Sequence, residues 1–305
     1  MTLTRSRIHS LALIPDPFMT AFSRLHARTA LGACFSTLTL VGAVGGAQAA
    51  DFNDTFLGYR QSGDYREPGN ANHIAKSIYQ LTHVSTHAWG SNFFNADAFV
   101  SDNKDRANNS TAGAQEIYLT YRNQLSLAKT TGVKLPVVAV RDVALTSGFD
   151  LNSKDTAFAP RKRAWVLGPT VRFDVPGFLD LSLLYYSERN HRGLTGTLRP
   201  DVAFDPSYML AASWGVPFQA GPAPLKFQGF LNYVAPKGLD SQNVKTVGET
   251  LMRTSLMVDV GQLAFDKKNA LWAGVGYEYW HNKFGNPKGV GTDVRATQLQ
   301  VEYHF

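Results

Sequence analysis

Two histidines four residues apart, His83 and His87, are the first candidates for chemistry in this 305-residue sequence. Imidazole nitrogens bind zinc, and a neutral imidazole also serves as a general base. In an extended chain, however, four residues span about 13 Å, so the two rings could not share one zinc ion. They would converge only if the chain turned there, and we interpret residues 83–87 as an ordinary turn between strands, without a metal.

Residues 102–105 read Asp-Asn-Lys-Asp and offer oxygen ligands of the kind that calcium prefers. A cation at Lys104, and the absence of the glycine and the final glutamate of a calcium-binding loop, favour a solvated external loop instead. The glycine pairs at 274–276 and 289–291 lack the strand–turn–helix context of a phosphate-binding loop. We therefore expect a protein that is not an enzyme, with no catalytic residues, no metal and no cofactor.

The elements that must position any site are β-strands, and the last ten residues show this best. One face of that segment carries Thr297, Leu299, Val301, Tyr303 and Phe305, and the other carries Gln298, Gln300, Glu302 and His304. Such period-two alternation is typical of a strand with one apolar face. An ordinary half-buried strand of a soluble sheet is the alternative. A final strand that ends on phenylalanine is instead typical of outer-membrane β-barrels, and we expect Leu299, Val301, Tyr303 and Phe305 to form the signal for the barrel-assembly machinery.

The same alternation recurs along the chain and predicts an all-β fold, a transmembrane up-and-down antiparallel barrel of about twelve strands over residues 50–305. The strands are predicted at 52–62, 74–85, 91–101, 114–127, 134–149, 162–175, 178–189, 207–217, 223–235, 249–263, 269–283 and 293–305. Long polar gaps, expected outside the cell, are predicted at 63–73, 102–113, 150–161, 190–206, 236–248 and 284–292. The gaps between them are short, as in periplasmic turns. A β-sandwich also alternates, but it needs no such loop rule.

A narrow barrel selects solutes through the side chains that face its lumen. We expect aromatic faces there to stack a flat base, and carboxylates or amides to bond a ribose hydroxyl. The alternative is that the charges pair merely to satisfy a polar interior. The predicted lumen lining is Tyr118, Arg172, Asp174, Asp180, Tyr186, Glu188, Lys226, Gln228, Phe230, Asn232, Arg253, Asp259, Glu278, Gln298, Gln300 and Glu302.

Residues 1–49 have the pattern of a secretory signal peptide that is removed on export. A basic stretch precedes an apolar stretch at 29–46, and an Ala-Gln-Ala cleavage site follows at 47–49. The residues before Met19 do not suit a signal peptide, so we expect translation to start at Met19.

Composition narrows the function classes further. Cys34 is the one cysteine of the sequence and lies in the predicted signal, so we expect no disulfide or thiol chemistry. The formal net charge of +6 is raised by the arginines of residues 1–49. We find no basic cluster interleaved with aromatic residues, so nucleic acid is not an expected partner.

Several short motifs, in order along nearly the whole exported chain, resemble the Tsx-type nucleoside-specific channel family, on the branch named outer envelope protein. They are Phe-Leu-Gly-Tyr-Arg at 56–60, Glu-Pro-Gly at 67–69, Gly-Ser-Asn-Phe-Phe-Asn at 90–95, Gln-Glu-Ile-Tyr-Leu-Thr-Tyr-Arg at 115–122, Gly-Pro-Thr at 168–170, Phe-Asp-Val-Pro-Gly-Phe at 173–178, Tyr-Glu-Tyr-Trp-His-Asn-Lys-Phe-Gly at 277–285 and Glu-Tyr-His-Phe at 302–305. The stretch at 277–285 is the most specific of these.

The resemblance implies a monomeric twelve-stranded barrel in the bacterial outer membrane, surrounded by lipid and lipopolysaccharide, that passes nucleosides passively. The family's nucleoside contacts do not align with this chain residue by residue, so the cargo follows from the resemblance alone. Two alternatives are a barrel with a plugged lumen that acts as a structural protein or receptor through its external loops, and an outer-membrane hydrolase.

Overall fold

β-Strands account for most of residues 52–133 and 136–305, the residues that the computed structural model describes. In chain order they are β1 (Phe52–Glu67), β2 (Asn70–His87), β3 (Gly90–Ser101), β4 (Gln115–Ser126), β5 (Val140–Lys154), β6 (Arg163–Phe173), β7 (Phe178–His191), β8 (Asp201–Ala203), β9 (Ser207–Ala220), β10 (Ala223–Val234), β11 (Glu249–Asp259), β12 (Leu271–His281) and β13 (Val294–His304). Two short helices, α1 (Leu127–Thr131) and α2 (Val260–Phe265), and a 3-10 turn (Lys283–Gly285) complete the described elements.

The strands form one antiparallel sheet that closes on itself. Its order is β6-β5-β4-β3-β2-β1-β13-β12-β11-β10-β9-β7-β8, and a further pairing of β6 with β7 joins the two ends. Without the three-residue β8, twelve of the 13 strands make the wall, so the predicted all-β barrel is confirmed. The closing seam pairs the first strand with the last, from Phe56 opposite His304 to Gln61 opposite Leu299. Closure leaves no strand edge with unpaired backbone groups.

The wall is apolar on the outside and polar on the inside. On β13, Gln298 and Glu302 are 0 and 1% exposed, whereas Leu299 and Tyr303 are 69 and 55% exposed. Because neighbouring side chains of a strand point to opposite faces, the buried polar residues face the lumen and the exposed apolar ones face outwards. The same order recurs on β7, where Leu183 is exposed and Tyr186 is buried.

The hairpin of β1 and β2 differs from the sequence prediction. A long loop is predicted at 63–73, but both strands continue and meet at a tight turn over residues 68–69. The pairing register shifts twice, between Ser62 and Tyr65 and between Tyr65 and Glu67, so β1 is bulged. A bulge interrupts the alternation by which a strand is recognised, and this explains why the prediction ended β1 too early.

The connections at the two ends of the barrel otherwise follow the predicted length rule with two further departures. We name the end with the β3–β4, β5–β6, β7–β9, β10–β11 and β12–β13 connections the loop end, and the opposite end the turn end. At the turn end, α1 and α2 lengthen the connections predicted at 128–133 and 264–268. At the loop end, β8 lies within the predicted loop 190–206 and pairs with β7. The predicted signal peptide and Cys34 lie outside the described residues.

Each short helix has a capping residue that defines where it begins. The Ser126 side chain accepts a hydrogen bond from the Lys129 backbone at the start of α1, and Gly132 ends that helix with φ of 74°. Asp259 accepts from the Gln262 backbone at the start of α2. Such caps satisfy backbone donors that the first turn of a helix leaves unpaired. Neither helix is long and apolar enough to cross a bilayer, and the same holds throughout the described part of the chain.

Candidate functional site

Buried charges fill much of the lumen, and many of them form three networks along its length. A charge removed from water needs a close counter-ion, so each network satisfies groups that burial would otherwise penalise strongly. The networks also show which parts of the lumen are closed by side chains and which retain contact with solvent.

The first network lies at the loop end, and we call it the mouth network: Glu67, Lys76, Asp105, Lys154 and Lys283. The Glu67 carboxylate is 2.5 Å from the Lys76 ammonium, 3.0 Å from that of Lys154 and 3.2 Å from that of Lys283. Asp105 lies 2.7 Å from Lys154. These residues come from β1, β2, β5 and two loops, so the network joins separate parts of the rim.

The electrostatics of Lys283, in the β12–β13 connection, reflect this crowding. Burial lowers the pKa of its ammonium below the ordinary lysine value, and the positive charges of Lys76 and Lys154 lower it further, while Glu67 acts in the opposite direction. The Lys283 ammonium also donates to the backbone carbonyl of Arg66 at 3.0 Å. The Glu67 carboxylate thus binds three ammonium groups, and their side chains occupy the lumen at the rim.

The second network, which we call the cross-lumen network, consists of Arg60, Asp97, Arg253 and Glu278. The Arg60 Nη2 is 2.6 Å from the Asp97 carboxylate, and the Arg253 Nη1 is 3.2 Å from the same carboxylate. The Arg253 Nη2 lies 2.9 Å from Glu278 on the neighbouring strand. Asp97 belongs to β3 and Arg253 to β11, which stand five strands apart around a ring of twelve along β3-β2-β1-β13-β12-β11. Their contact therefore joins nearly opposite walls of the barrel.

Two further contacts lie beside the cross-lumen network. The Gln298 amide donates to the Tyr65 hydroxyl at 2.7 Å. The Phe230 ring lies 5.5 Å from the Arg253 guanidinium, an arrangement that stabilises the cation over its face. Phe230, Arg253 and Glu278, all in the predicted lining, thus come together at one position in the barrel, and the predicted residue Gln298 binds Tyr65.

A small aromatic cavity of about 40 Å³ lies towards the loop end. Its walls include Tyr118, Asp150, Lys162, Tyr186, Met209, Asn232, Val234, Glu249, Leu251 and Trp280. The Lys162 ammonium lies 5.8 Å from the centres of both the Tyr118 and Tyr186 rings. The Tyr186 hydroxyl donates to Glu188 at 2.6 Å, and the Glu188 carboxylate also accepts a hydrogen bond from the Lys237 ammonium at 2.5 Å. The predicted residues Tyr118, Tyr186, Glu188 and Asn232 therefore cluster, and two lysines from the loops join them.

The charge state of Lys162, in the β5–β6 connection, is set by its neighbours. Burial lowers the pKa of this ammonium, but Tyr118, Tyr186, Glu188 and Glu249 together hold it well above the ordinary lysine value. The charged form of Lys162 is therefore favoured over the neutral amine at this point of the lumen. Glu249 accepts from the Trp280 indole at 2.8 Å through one carboxylate oxygen, while its other oxygen is buried without a hydrogen-bond partner.

The third network lies towards the turn end, and we call it the lower network. Glu302 receives hydrogen bonds from the amides of Gln228 and Gln300, both at 2.6 Å, and lies 3.3 Å from the Lys226 ammonium. The Lys226 ammonium also lies 4.7 Å from the centre of the Trp272 ring. Three predicted lining residues therefore meet around the buried carboxylate of a fourth, Glu302.

On the opposite side of the turn end, Arg172 lies between two carboxylates without a hydrogen bond to either. The nearest oxygens of Asp142 and Asp180 are each 3.8 Å away, beyond hydrogen-bonding distance. Asp180 instead accepts from the Gln124 amide at 3.1 Å, which leaves the second Asp180 oxygen without a partner.

Two predicted lining residues do not face the open lumen. Asp174 lies beyond the end of β6 at Phe173, and its side chain is exposed in the β6–β7 turn. Asp259 is buried, but both its carboxylate oxygens accept backbone hydrogen bonds, from Gln262 at 2.9 Å and from Asn269 at 2.7 Å. For Asp174, the prediction extended the alternation past the end of β6. For Asp259, alternation alone does not distinguish a lumen-facing residue from a helix cap.

The sequence prediction missed the residues of the mouth network and half of the cross-lumen network. Arg60 and Asp97 follow the period-two alternation of β1 and β3, but the predicted lining includes no residue from either strand. Glu67 follows the bulge in β1, where the period is lost. Lys162, Lys237 and Lys283 belong to loops, and their entry into the lumen depends on how the loops fold.

The structure places the histidine pair in an extended strand and not in a turn. Both His83 and His87 lie within β2, so the predicted turn at 83–87 is wrong and the chain reverses at residues 88–89. The His83 ring is hydrogen-bonded to the Thr55 hydroxyl at 2.8 Å. Within residues 52–133 and 136–305, no group of three or more His, Cys, Asp or Glu side chains is placed to hold a metal ion.

Comparisons with known proteins find similarity to solved structures alone, at low sequence identity. No family model and no curated protein matches the sequence. Among solved structures, the KdgM porin is 12% identical, with 82% of this chain and 99% of the porin covered at a TM-score of 0.43. The NanC porin is 10% identical, with 83 and 99% covered at 0.42. The translocator domain of the autotransporter NalP from Neisseria meningitidis is 12% identical, with 92 and 98% covered at 0.41. The architecture itself rests on the strand pairing of this chain.

Proposed function

We propose that this chain is a bacterial outer-membrane channel through which small solutes diffuse passively, with nucleosides as the leading cargo. The observation that carries the proposal is the reversed polarity of the barrel, which has exposed apolar side chains outside and ion pairs within. A soluble protein buries its apolar residues, whereas a protein surrounded by lipid must expose them and satisfy its backbone by closure.

The dimensions of the wall support a membrane location. A strand tilted at about 45° crosses the hydrocarbon core with about 9–11 residues. The twelve long strands have between 11 and 18 residues, so each is long enough to cross and several extend beyond the bilayer. Exposed aromatic side chains such as Trp165 and Tyr208 suit the lipid–water boundary, where one end of the ring is wet.

The cargo follows from the resemblance to nucleoside channels together with the chemistry around the aromatic cavity. Tyr118, Tyr186 and Trp280 supply flat faces, and Asn232 and Glu249 supply groups that bond hydroxyls. The cavity of about 40 Å³ is smaller than a nucleoside, so passage requires the surrounding side chains to move. An uncharged amphipathic solute avoids the cost of removing an ion from water in such a narrow passage.

A second candidate function is a plugged barrel that acts through its external loops. The contact between Asp97 and Arg253 across the lumen, and the buried lysines of the mouth network, favour it. The two candidates differ in one measurable property, because a plugged barrel inserts into a bilayer without carrying current.

The outward face of β13 is part of the same proposal. We infer that Leu299, Val301, Tyr303 and Phe305 are the residues through which the barrel-assembly machinery receives the chain, and that the protein works as a monomer. All four side chains are exposed on the outside of the wall, where a partner strand can reach them.

The proposal is tested with purified protein in planar bilayers and in liposomes. We expect stepwise single-channel conductance, and faster liposome swelling in nucleosides than in sugars of equal size. Conductance without any preference for nucleosides would support the assignment as a channel and refute nucleosides as its cargo. Insertion of folded protein without conductance would instead support the plugged barrel.

A further inference from the structure

A groove of about 300 Å³ lies on the outer face of the wall towards the loop end, along β4, β5 and β6. Its floor is apolar and includes Ile117, Leu119 and Leu151, while Arg161 and Arg163 line it on the side of β6. Leu119 stands opposite Leu151, and Leu151 stands opposite Arg163. Since directly opposite residues share one face of a sheet, a single outward row passes from apolar side chains to a cation.

The arginine of that row faces a second arginine across the next strand pair. Arg163 on β6 stands directly opposite Arg189 on β7, and both side chains are exposed. Opposite residues have Cβ atoms about 4.5–5.5 Å apart, and like charges at this distance destabilise a sheet. Among the described residues, no side-chain hydrogen bond or ion pair involves Arg161, Arg163 or Arg189. Three guanidinium groups therefore keep all their donors for a ligand.

The carboxylates of this outer face lie on the loop side of the arginines. Asp155 follows the end of β5 and accepts a hydrogen bond from the Gln115 backbone at 2.8 Å. Asp201 pairs with His191, two residues beyond Arg189 towards the loop, and lies 2.8 Å from the His191 ring nitrogen. On the membrane side of the arginines, the outward residues of β4 to β7 include no carboxylate. An anion that approaches from the bilayer therefore meets the cations first.

The outward residues below the arginines follow the order of groups in a membrane lipid. On β6, Arg163 is followed on the same face by Trp165 and then Leu167, which are both exposed. On β7, the exposed Tyr185 likewise lies below Arg189. Aromatic rings favour the lipid–water boundary, and aliphatic side chains favour the hydrocarbon. The arginines thus lie at the level of the lipid headgroups, just outside the aromatic side chains.

From this groove and its arginines we infer that the barrel binds a phosphorylated, acylated lipid of the outer leaflet, the lipid A part of lipopolysaccharide. A phosphate lies between Arg163 and Arg189, and an acyl chain covers the apolar floor of the groove. The planar guanidinium matches a phosphate with two parallel hydrogen bonds, and a phosphate between two arginines offsets their mutual repulsion. The inference rests on the proposed outer-membrane location, with the loop end outside, and is independent of the cargo.

The test is native mass spectrometry of the purified protein, released from detergent micelles that contain increasing amounts of lipid A. We expect one molecule of lipid A bound to each wild-type chain. Lipid A without its phosphates should bind at least about tenfold more weakly, because the charge-assisted hydrogen bonds are lost. Free inorganic phosphate should not compete, because it has no acyl chain for the apolar floor. Equal affinity for phosphatidylglycerol, or a dimer of the chain in place of the lipid complex, would overturn lipid A as the occupant.

The Arg163→Gln/Arg189→Gln variant should bind lipid A at least about tenfold more weakly, and it loses no hydrogen bond within the described residues. Arg295→Gln is the matched control and should bind as wild type does. Arg295 is also exposed near the loop end, but it lies on β13, six strands away in the ring of twelve, and stands opposite Tyr279 rather than a second arginine.

Unchanged affinity in the double variant, or an equal loss in the control, overturns the lipid site. The channel is judged separately, by conductance in bilayers that contain no lipopolysaccharide. Protein that conducts there but does not bind lipid A refutes this inference alone. Folded protein that inserts into no bilayer refutes the membrane location on which both proposals rest.

Discussion

Replacement of Arg253 by methionine should reveal how much the cross-lumen network contributes to the stability of the barrel. Methionine keeps much of the length of the arginine stem but removes the guanidinium that holds Asp97 at 3.2 Å and Glu278 at 2.9 Å. Asp97 retains Arg60 at 2.6 Å, whereas the Glu278 side chain, only 3% exposed, loses the cation beside it. Removal of one partner from a buried ion pair typically costs about 3–5 kcal/mol, because the remaining charge stays buried without compensation.

The magnitude agrees with a direct electrostatic calculation. Two unit charges 4 Å apart attract one another by about 4 kcal/mol at an effective dielectric constant of about 20. We therefore expect Arg253→Met to lower the free energy of unfolding by about 3–5 kcal/mol. The measurement is urea unfolding of the protein in lipid vesicles, followed by tryptophan fluorescence.

The double variant Arg253→Met/Glu278→Gln separates the lost ion pair from lost packing. Glutamine has the shape of glutamate without its charge, so this variant should regain at least about 1 kcal/mol relative to Arg253→Met. A single variant that is within 1 kcal/mol of wild type, or a double variant no more stable than the single, would refute the assignment of a buried ion pair across the lumen. In planar bilayers the same Arg253→Met variant should conduct more current than wild type, because the contact between opposite walls is gone.

Three further substitutions test the wall, a helix cap and a turn. Leu299→Arg places a cation on the lipid-facing side of β13 and should cost about 2–4 kcal/mol in vesicles, whereas Leu299→Met should cost less than about 1.5 kcal/mol; equal losses would contradict an outward Leu299. Asp259→Ala removes the carboxylate that accepts from Gln262 and Asn269, and should lower stability by about 0.5–2 kcal/mol in thermal unfolding with the conductance unchanged. Gly69 has φ of 80°, so Gly69→Val should cost about 1–2 kcal/mol in urea unfolding. Gly63→Val should be close to neutral, because a Cβ at Gly63 meets nothing within 4 Å. Similar losses at both positions would show that the turn at 68–69 does not require a glycine.

The periodic part of the fold was predictable because each strand carries its own evidence. The predicted limits of the strand at 178–189 agree with β7 to within two residues, since Leu179, Leu181 and Leu183 alternate with more polar neighbours along its length. The prediction failed where the period is interrupted, as at the bulge after Ser62, and where a short capped helix lies between strands, as at α1.

The sequence by itself determined the fold class and the side of the wall on which Gln298, Gln300 and Glu302 lie, because alternation is a local property of an extended backbone. The tertiary structure alone decided which inward charges meet. Asp97 and Arg253 are 156 residues apart in the chain, and they touch because the sheet closes and brings β3 and β11 to nearly opposite walls of a narrow lumen. The entry of Lys162, Lys237 and Lys283 likewise depends on loop conformation, which has no period in the sequence. Closure and loop folding are long-range events, so the partners of each buried charge were not contained in any local pattern.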